Sequence, residues 1–119
     1  MKTCVIQPRY SFDGNDLEKC FGELLSLLDS CDSQLDIIVL PEYSDALADV
    51  KGKAGYYGAV EKNCEILLAK ARETAKRCNA IVVVNVHFPV ENGWRNSTCV
   101  FNRVGELVGR YDKQHLTPG

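Results

Sequence analysis

The succession of hydrophobic patterns along the chain predicts an α/β fold of order β-α-β-α-β followed by a β-hairpin. Three observations lead there. Residues 37–40 and 80–86 are nearly unbroken apolar runs rich in β-branched side chains, the pattern of strands covered on both faces of a parallel sheet. Two other stretches repeat apolar residues every three or four positions, as a helix with one buried stripe does. Near the end, two short apolar segments flank a turn that contains a glycine. Strands alternating with helices call for layers around one sheet, and the closing hairpin makes that sheet mixed.

The elements follow in order. Residues 3–6 read as a short opening strand, and Ser11, Phe12, Asp13 and Gly14 carry turn chemistry. Asn15 is placed to cap the first helix, with Glu18 three residues on, as in a capping box. Leu17, Cys20, Phe21, Leu24, Leu28 and Cys31 then form one apolar face. The strand 37–40 ends at Pro41, which has no N–H for a ladder. Beyond a loop holding Gly52, Gly55 and Gly58, a second helix over 61–78 buries Cys64, Leu67, Leu68, Ala71, Ala75 and Cys78. The strand 80–86 comes next. Past residues 89–93, segments 98–101 and 107–111 pair through the turn 102–106. No internal repeat, low-complexity stretch or second domain is legible.

Composition narrows the function. A chain of 119 residues buries roughly two-thirds of its unfolded surface, enough for one small domain. Its net charge of −2, with acidic and basic residues interspersed, gives no electrostatic reason to bind nucleic acid or an anionic membrane. No segment reaches the roughly 20 apolar residues of a membrane span. Pro8 arrives too early for the apolar region of a signal peptide, so a cytoplasmic location is expected. The six cysteines, Cys4, Cys20, Cys31, Cys64, Cys78 and Cys99, include no C-x-x-C pair and no neighbouring histidine cluster, which argues against zinc. Most fall on apolar positions and read as reduced, small core residues.

Two residues invite a chemical reading. Glu42 follows a strand and its terminating proline, and ligands of open α/β sheets gather outside the carboxyl ends of parallel strands. A carboxylate there suits a general base. Lys113 stands where the last strand ends, and an ammonium held there would stabilise an oxyanion. Taken singly, each has an ordinary reading: Glu42 as a turn cap or surface partner, Lys113 as an exposed cation beside Asp112. His87 is a strand-end histidine that more often hydrogen-bonds locally than serves as a base for Cys99. Tyr56 and Tyr57 either line a substrate pocket or pack over the sheet edge.

Together, Leu40, Pro41 and Glu42 after an apolar strand, and Gly105 and Glu106 leading to Gly109, Arg110, Tyr111, Asp112, Lys113, Gln114, His115 and Leu116, resemble the nitrilase, or carbon–nitrogen hydrolase, superfamily. The opening strand, the first helix and Asn96 fall where that family has them, so the resemblance covers essentially the whole chain. It implies an αββα sandwich and a Cys-Glu-Lys hydrolase of small amides or nitriles. Glu42 matches the family's general base and Lys113 the lysine that stabilises the tetrahedral intermediate. It further implies no metal or organic cofactor, and a homo-oligomer for the complete protein. The family's nucleophilic cysteine lies beyond the lysine, on a later strand. Residues 1–119 are therefore expected to be the amino-terminal part of one hydrolase domain, ending before the nucleophile, and none of the six cysteines matches its motif. His115 matches a position commonly histidine. Glu42 and Lys113 are expected to end adjacent strands and to point into one crevice, and a partial sandwich is expected to expose an apolar sheet face. Two alternatives stay open. One is a truncated nitrilase-like binding or interaction module without catalysis. The other is an unrelated flavodoxin-like ligand-binding domain, against which no glycine-rich phosphate loop follows any strand.

Overall fold

The computed structural model describes residues 1–49 and 56–113, with the side chain of Tyr56 outside that description. Five strands form one sheet in sequence order: β1 (Thr3–Val5), β2 (Ile37–Val39), β3 (Ile81–Val90), β4 (Gly93–Phe101) and β5 (Leu107–Asp112). β1, β2 and β3 run parallel, while β3, β4 and β5 are antiparallel neighbours. The helices α1 (Leu17–Asp29) and α2 (Tyr56–Cys78) form the two crossovers. The expected order and the mixed sheet are both present.

One face of the sheet carries the core. Ile38, Val82, Val84, Val86, Cys99 and Phe101 join the apolar stripes of α1 and α2 in a single buried cluster. Every position of the expected first-helix stripe is buried, as is that of the second apart from the partly buried Leu68. Each fully buried leucine contributes about 1.5–3 kcal/mol. Arg77 of α2 locks the two helices together by donating to Cys31 O at 2.7 Å and Leu28 O at 3.0 Å, carbonyls at the end of α1. Asn79 closes α2 in the left-handed region at φ 53°, a conformation asparagine tolerates better than most residues.

The other face is open. Val5, Val39, Val83 and Val100 stand in register across four strands. Val5 is 63% exposed, and the other three are only half-buried. The expectation that the strands 37–40 and 80–86 are covered on both faces is therefore corrected. The apolar composition equips both faces for burial, but among the described residues the helices cover only one.

Three boundaries also differ from expectation. Asn15 does not cap the first helix: it sits inside a short 3₁₀ turn (Gly14–Asp16), and Asp13 accepts its N–H at 3.0 Å. The carboxylate two residues earlier takes the donor first, so the cap moves upstream. α2 begins five residues before 61 and includes Gly58, whose cost of about 1 kcal/mol the rest of the helix absorbs. β3 and β4 both outrun the expected strands 80–86 and 98–101 and pair as a hairpin of their own, running through Pro89 to a two-residue turn at Glu91 and Asn92, with Gly93 at φ 121°. Pro89 is tolerated because β2 pairs only with Ile81, Val82 and Val83, leaving β4 as the sole ladder partner further along. Among the described residues, no helix is long and apolar enough to cross a membrane.

The asymmetry of the two faces is measurable. Leu67→Ala, on the covered face, should lower unfolding stability by about 2–5 kcal/mol. Val83→Thr, on the open face, should cost under about 1 kcal/mol and reduce binding of a hydrophobic dye by the native protein. Equal losses at the two positions, or no dye binding by the wild type, would contradict the one-sided core.

Candidate active site

The site is built by the turn that follows β2. Leu40 donates its N–H to Val83 O at 2.9 Å, the last regular step before Pro41. Glu42 is next, and Tyr43 then adopts φ 54°, a left-handed conformation that is strained for an aromatic residue. The strain is held by β3. Tyr43 donates its N–H to Asn85 Oδ1 at 2.9 Å, and Ser44 donates its N–H to Asn85 O at 3.1 Å. Ser44 Oγ also donates back to Pro41 O at 2.8 Å, closing the turn on itself.

Asn85 has a second role. With its Oδ1 facing Tyr43, its Nδ2 donates to Asn96 Oδ1 at 2.7 Å and to Thr98 Oγ1 at 3.1 Å, both on β4. Asn96 in turn accepts the backbone N–H of Lys113 on its carbonyl at 2.8 Å. The backbone just past Glu42 is thus tied through the Asn85 amide to the side chain of Asn96, the residue whose main-chain carbonyl holds Lys113. Lys113 Nζ lies 3.4 Å from Glu42 Oε2, across 71 residues of sequence. Both side chains are about half exposed, at 54% and 50%. They do not end adjacent strands as expected, because β3 and β4 lie between β2 and β5. The meeting occurs because the Glu42 turn leans across the end of β3 on its anchors.

A buried polar pair supports the turn from beneath. Asp45 is fully buried and accepts the backbone N–H of His87 on Oδ2, with Nδ1 of the same histidine 2.8 Å from Oδ1. Asn63 of α2 donates to Asp45 O at 3.2 Å. The His87 ring stacks on Tyr43 at 3.9 Å and meets Trp94 edge-on at 4.4 Å. A cavity of about 580 Å³ opens here, lined by Tyr10, Glu42, Tyr43, Tyr57, His87 and Trp94 among others. Tyr57 therefore lines the same space as Glu42, while the Tyr56 side chain and His115 fall outside the described residues. His87 is not near the end of its strand and does not serve Cys99. Cys99 pairs with Val84 in the helix-facing core, whereas His87 pairs with Asn96.

Four of the cysteines are held away from the thiolate form. Burial pushes the thiol of Cys64 up to about 12 and that of Cys31 up to about 11, and it raises those of Cys78 and Cys99. All of these hold their protons at neutral pH and are poor nucleophiles. Asp112, next to Lys113, behaves oppositely. Arg110 binds it bidentately at 2.9 Å and Ser97 Oγ donates to it at 2.6 Å, which lowers its carboxyl to about 2. Asn85 and Asp45 were not singled out by sequence reasoning. Asn85 had a signal, being the only polar residue within the apolar run 80–86. Asp45 had none, since nothing local marks a loop aspartate as buried.

No family model and no curated protein matches the sequence. Solved structures do match. The NitFhit protein of C. elegans superposes with a TM-score of 0.72 at 20% identity, over 97% of this chain and 27% of that one. A CN-hydrolase superfamily protein from Xanthomonas campestris gives 0.60 at 25% identity, over 96% and 40%. A carbon–nitrogen hydrolase from Helicobacter pylori G27 gives 0.60 at 20% identity, over 100% and 41%. The chain therefore has part of the fold of the nitrilase, or carbon–nitrogen hydrolase, superfamily, and it spans well under half the length of these neighbours.

The Asp112 cluster makes a pH prediction. Its folded carboxyl lies below the ordinary unfolded value of about 3.9, so it adds stability that is complete above pH ~4 and lost as pH falls through about 2. Carboxyl ¹³C titration should give Asp112 a midpoint near 2, and Arg110→Ala should raise it, because Arg110 is the largest cause. A wild-type midpoint near 4 would show that the cluster does not hold the ionised form.

Proposed function

We propose that this chain, carrying part of the carbon–nitrogen hydrolase fold, supplies the general base and the oxyanion-stabilising lysine of a hydrolase of non-peptide carbon–nitrogen bonds. The observation that carries the proposal is the approach of Lys113 Nζ to Glu42 Oε2, 3.4 Å apart at the rim of an aromatic-lined cavity. Glu42 takes the proton of a cysteine thiol supplied from outside residues 1–119. The sulfur attacks the carbon of a small amide or nitrile, and Lys113 balances the charge that develops on the substrate. For an amide, the C–N bond then breaks and ammonia leaves with a proton returned by Glu42. The resulting thioester is hydrolysed by a water that Glu42 activates, which restores the thiol. Tyr56 and Tyr57 serve as substrate-binding residues, and the complete protein works as a homo-oligomer on a small molecule.

A second reading has support of its own. Among the six cysteines of the chain, five are buried, and the partly buried Cys4 lies on β1, away from the Glu42 cavity lining. Residues 1–119 alone would then be a nitrilase-like binding or interaction module without turnover.

Ammonia release and mass spectrometry on small amides and nitriles separate the two. Residues 1–119 alone should give neither turnover nor an acyl adduct. A chain extended through a nucleophilic cysteine should hydrolyse, and Glu42→Gln or Lys113→Ala should lower its kcat/KM by about 100-fold or more with the fold unchanged. An acyl adduct on Cys99 or another cysteine of the short chain would place the nucleophile elsewhere. Full activity in Glu42→Gln would remove the proposed base.

A further inference from the structure

Asp45 and His87 have no part in the chemistry above, yet they form the most deeply buried polar pair in the described structure. Asp45 is fully buried and His87 is 6% exposed. Both carboxylate oxygens are committed to His87, one to its backbone N–H and one to Nδ1, each at 2.8 Å. An ionised carboxylate can only accept, so in the neutral ring the proton sits on Nδ1 and Nε2 carries the lone pair.

The rest of the ring is also fixed. Tyr43 stacks on it at 3.9 Å with 17° between planes, and Trp94 meets it at 4.4 Å and 68°. Nε2 has no hydrogen-bond partner among the described residues, and it is not among the enclosed side-chain atoms left without one. The ring lines the cavity it shares with Glu42. In its neutral form the ring offers a single hydrogen-bond acceptor, whose tautomer and orientation are set by its neighbours.

We propose that His87 is a specificity-determining residue of this cavity, held by Asp45 as a positioning residue, and that it selects substrates bearing an N–H donor, carboxamides or ureides, against nitriles. This rests on the hydrolase reading of Glu42 and Lys113 and names its substrate class. A carboxamide donates an N–H to Nε2. A nitrile nitrogen can only accept, and it would face the imidazole lone pair to lone pair. Sites built to pair a polar group reject analogues that lack it strongly, because the protein group is left unpaired.

Two experiments test this, and only one depends on catalysis. In ¹⁵N-labelled residues 1–119 at pH 8, the His87 ring should carry its proton on Nδ1, with the Nε2 resonance moving on addition of butyramide and not of butyronitrile. In the extended, active chain, kcat/KM should favour butyramide over butyronitrile by roughly a hundredfold or more. Asp45→Asn keeps one oxygen for the His87 backbone and turns an amide N–H toward Nδ1. The ring proton then moves to Nε2 and the preference should collapse or reverse. His87→Phe keeps an aromatic ring in the stack and should erase the preference without reversing it. A proton on Nε2 in the wild type, an equal response to the nitrile, no response to the amide, or an unchanged preference in Asp45→Asn would each overturn the assignment of His87. If neither substrate is hydrolysed by the extended chain, the hydrolase reading fails, and the resonance measurement still decides whether His87 binds amides.

Discussion

The contact between Asn85 and Asn96 is the constraint on which the candidate site depends. β2 and β5 are separated by two strands, so Glu42 and Lys113 share no ladder; Ser44 N–H on Asn85 O and Lys113 N–H on Asn96 O carry their segments only as far as β3 and β4. A side-chain amide on β3 joins the two. Its oxygen takes the N–H of Tyr43 just past Glu42, and its nitrogen reaches Asn96, whose carbonyl holds Lys113. The Asn85 amide is part-buried with both ends paired, so its oxygen and nitrogen together hold one orientation. The left-handed backbone of Tyr43 fits the same account, because strain persists only where the surroundings over-determine it.

The sheet beneath explains why such a device is possible. β3 is long, and its two halves differ: the first is flanked by β2 and β4, the second by β4 alone. The departure of β2 leaves Asn85 and His87 with a vacant side, and the turn from Pro41 to Asp45 fills it. The helix-facing core fixes β3 and β4, and the turn is then laced onto that fixed edge. The open face, with its row of valines, is the other consequence of a one-sided helix layer.

Much of this was legible in the sequence, for definite physical reasons. The stripes of α1 and α2 repeat at helical spacing over several turns, and a signal that long survives local exceptions. Glu42 and Lys113 could be singled out because a proline and a strand end mark each place. Gly105, in the β4–β5 turn, was equally readable, and its φ of 82° is one that other residues rarely adopt. The start of β4 was not, because Pro89 looks like a break until it is known that one side of β3 has lost its neighbour. Nor was the cap of α1, where two aspartates and an asparagine compete within four residues and only geometry decides. Long-range polar pairs such as Asp45 with His87 leave no periodic trace at all.

The central claim is that one amide sets the distance between Glu42 and Lys113. The most direct measurement is a crystal structure of the Asn85→Ala variant beside the wild type. The account predicts a wild-type separation between Glu42 and Lys113 close to 3.4 Å. In the variant, Tyr43 should relax from its positive φ and the Glu42 carboxylate should withdraw beyond hydrogen-bonding reach of Lys113, with the helices and β1–β4 unmoved. A variant in which the strained turn and the Glu42–Lys113 contact both persist would contradict it.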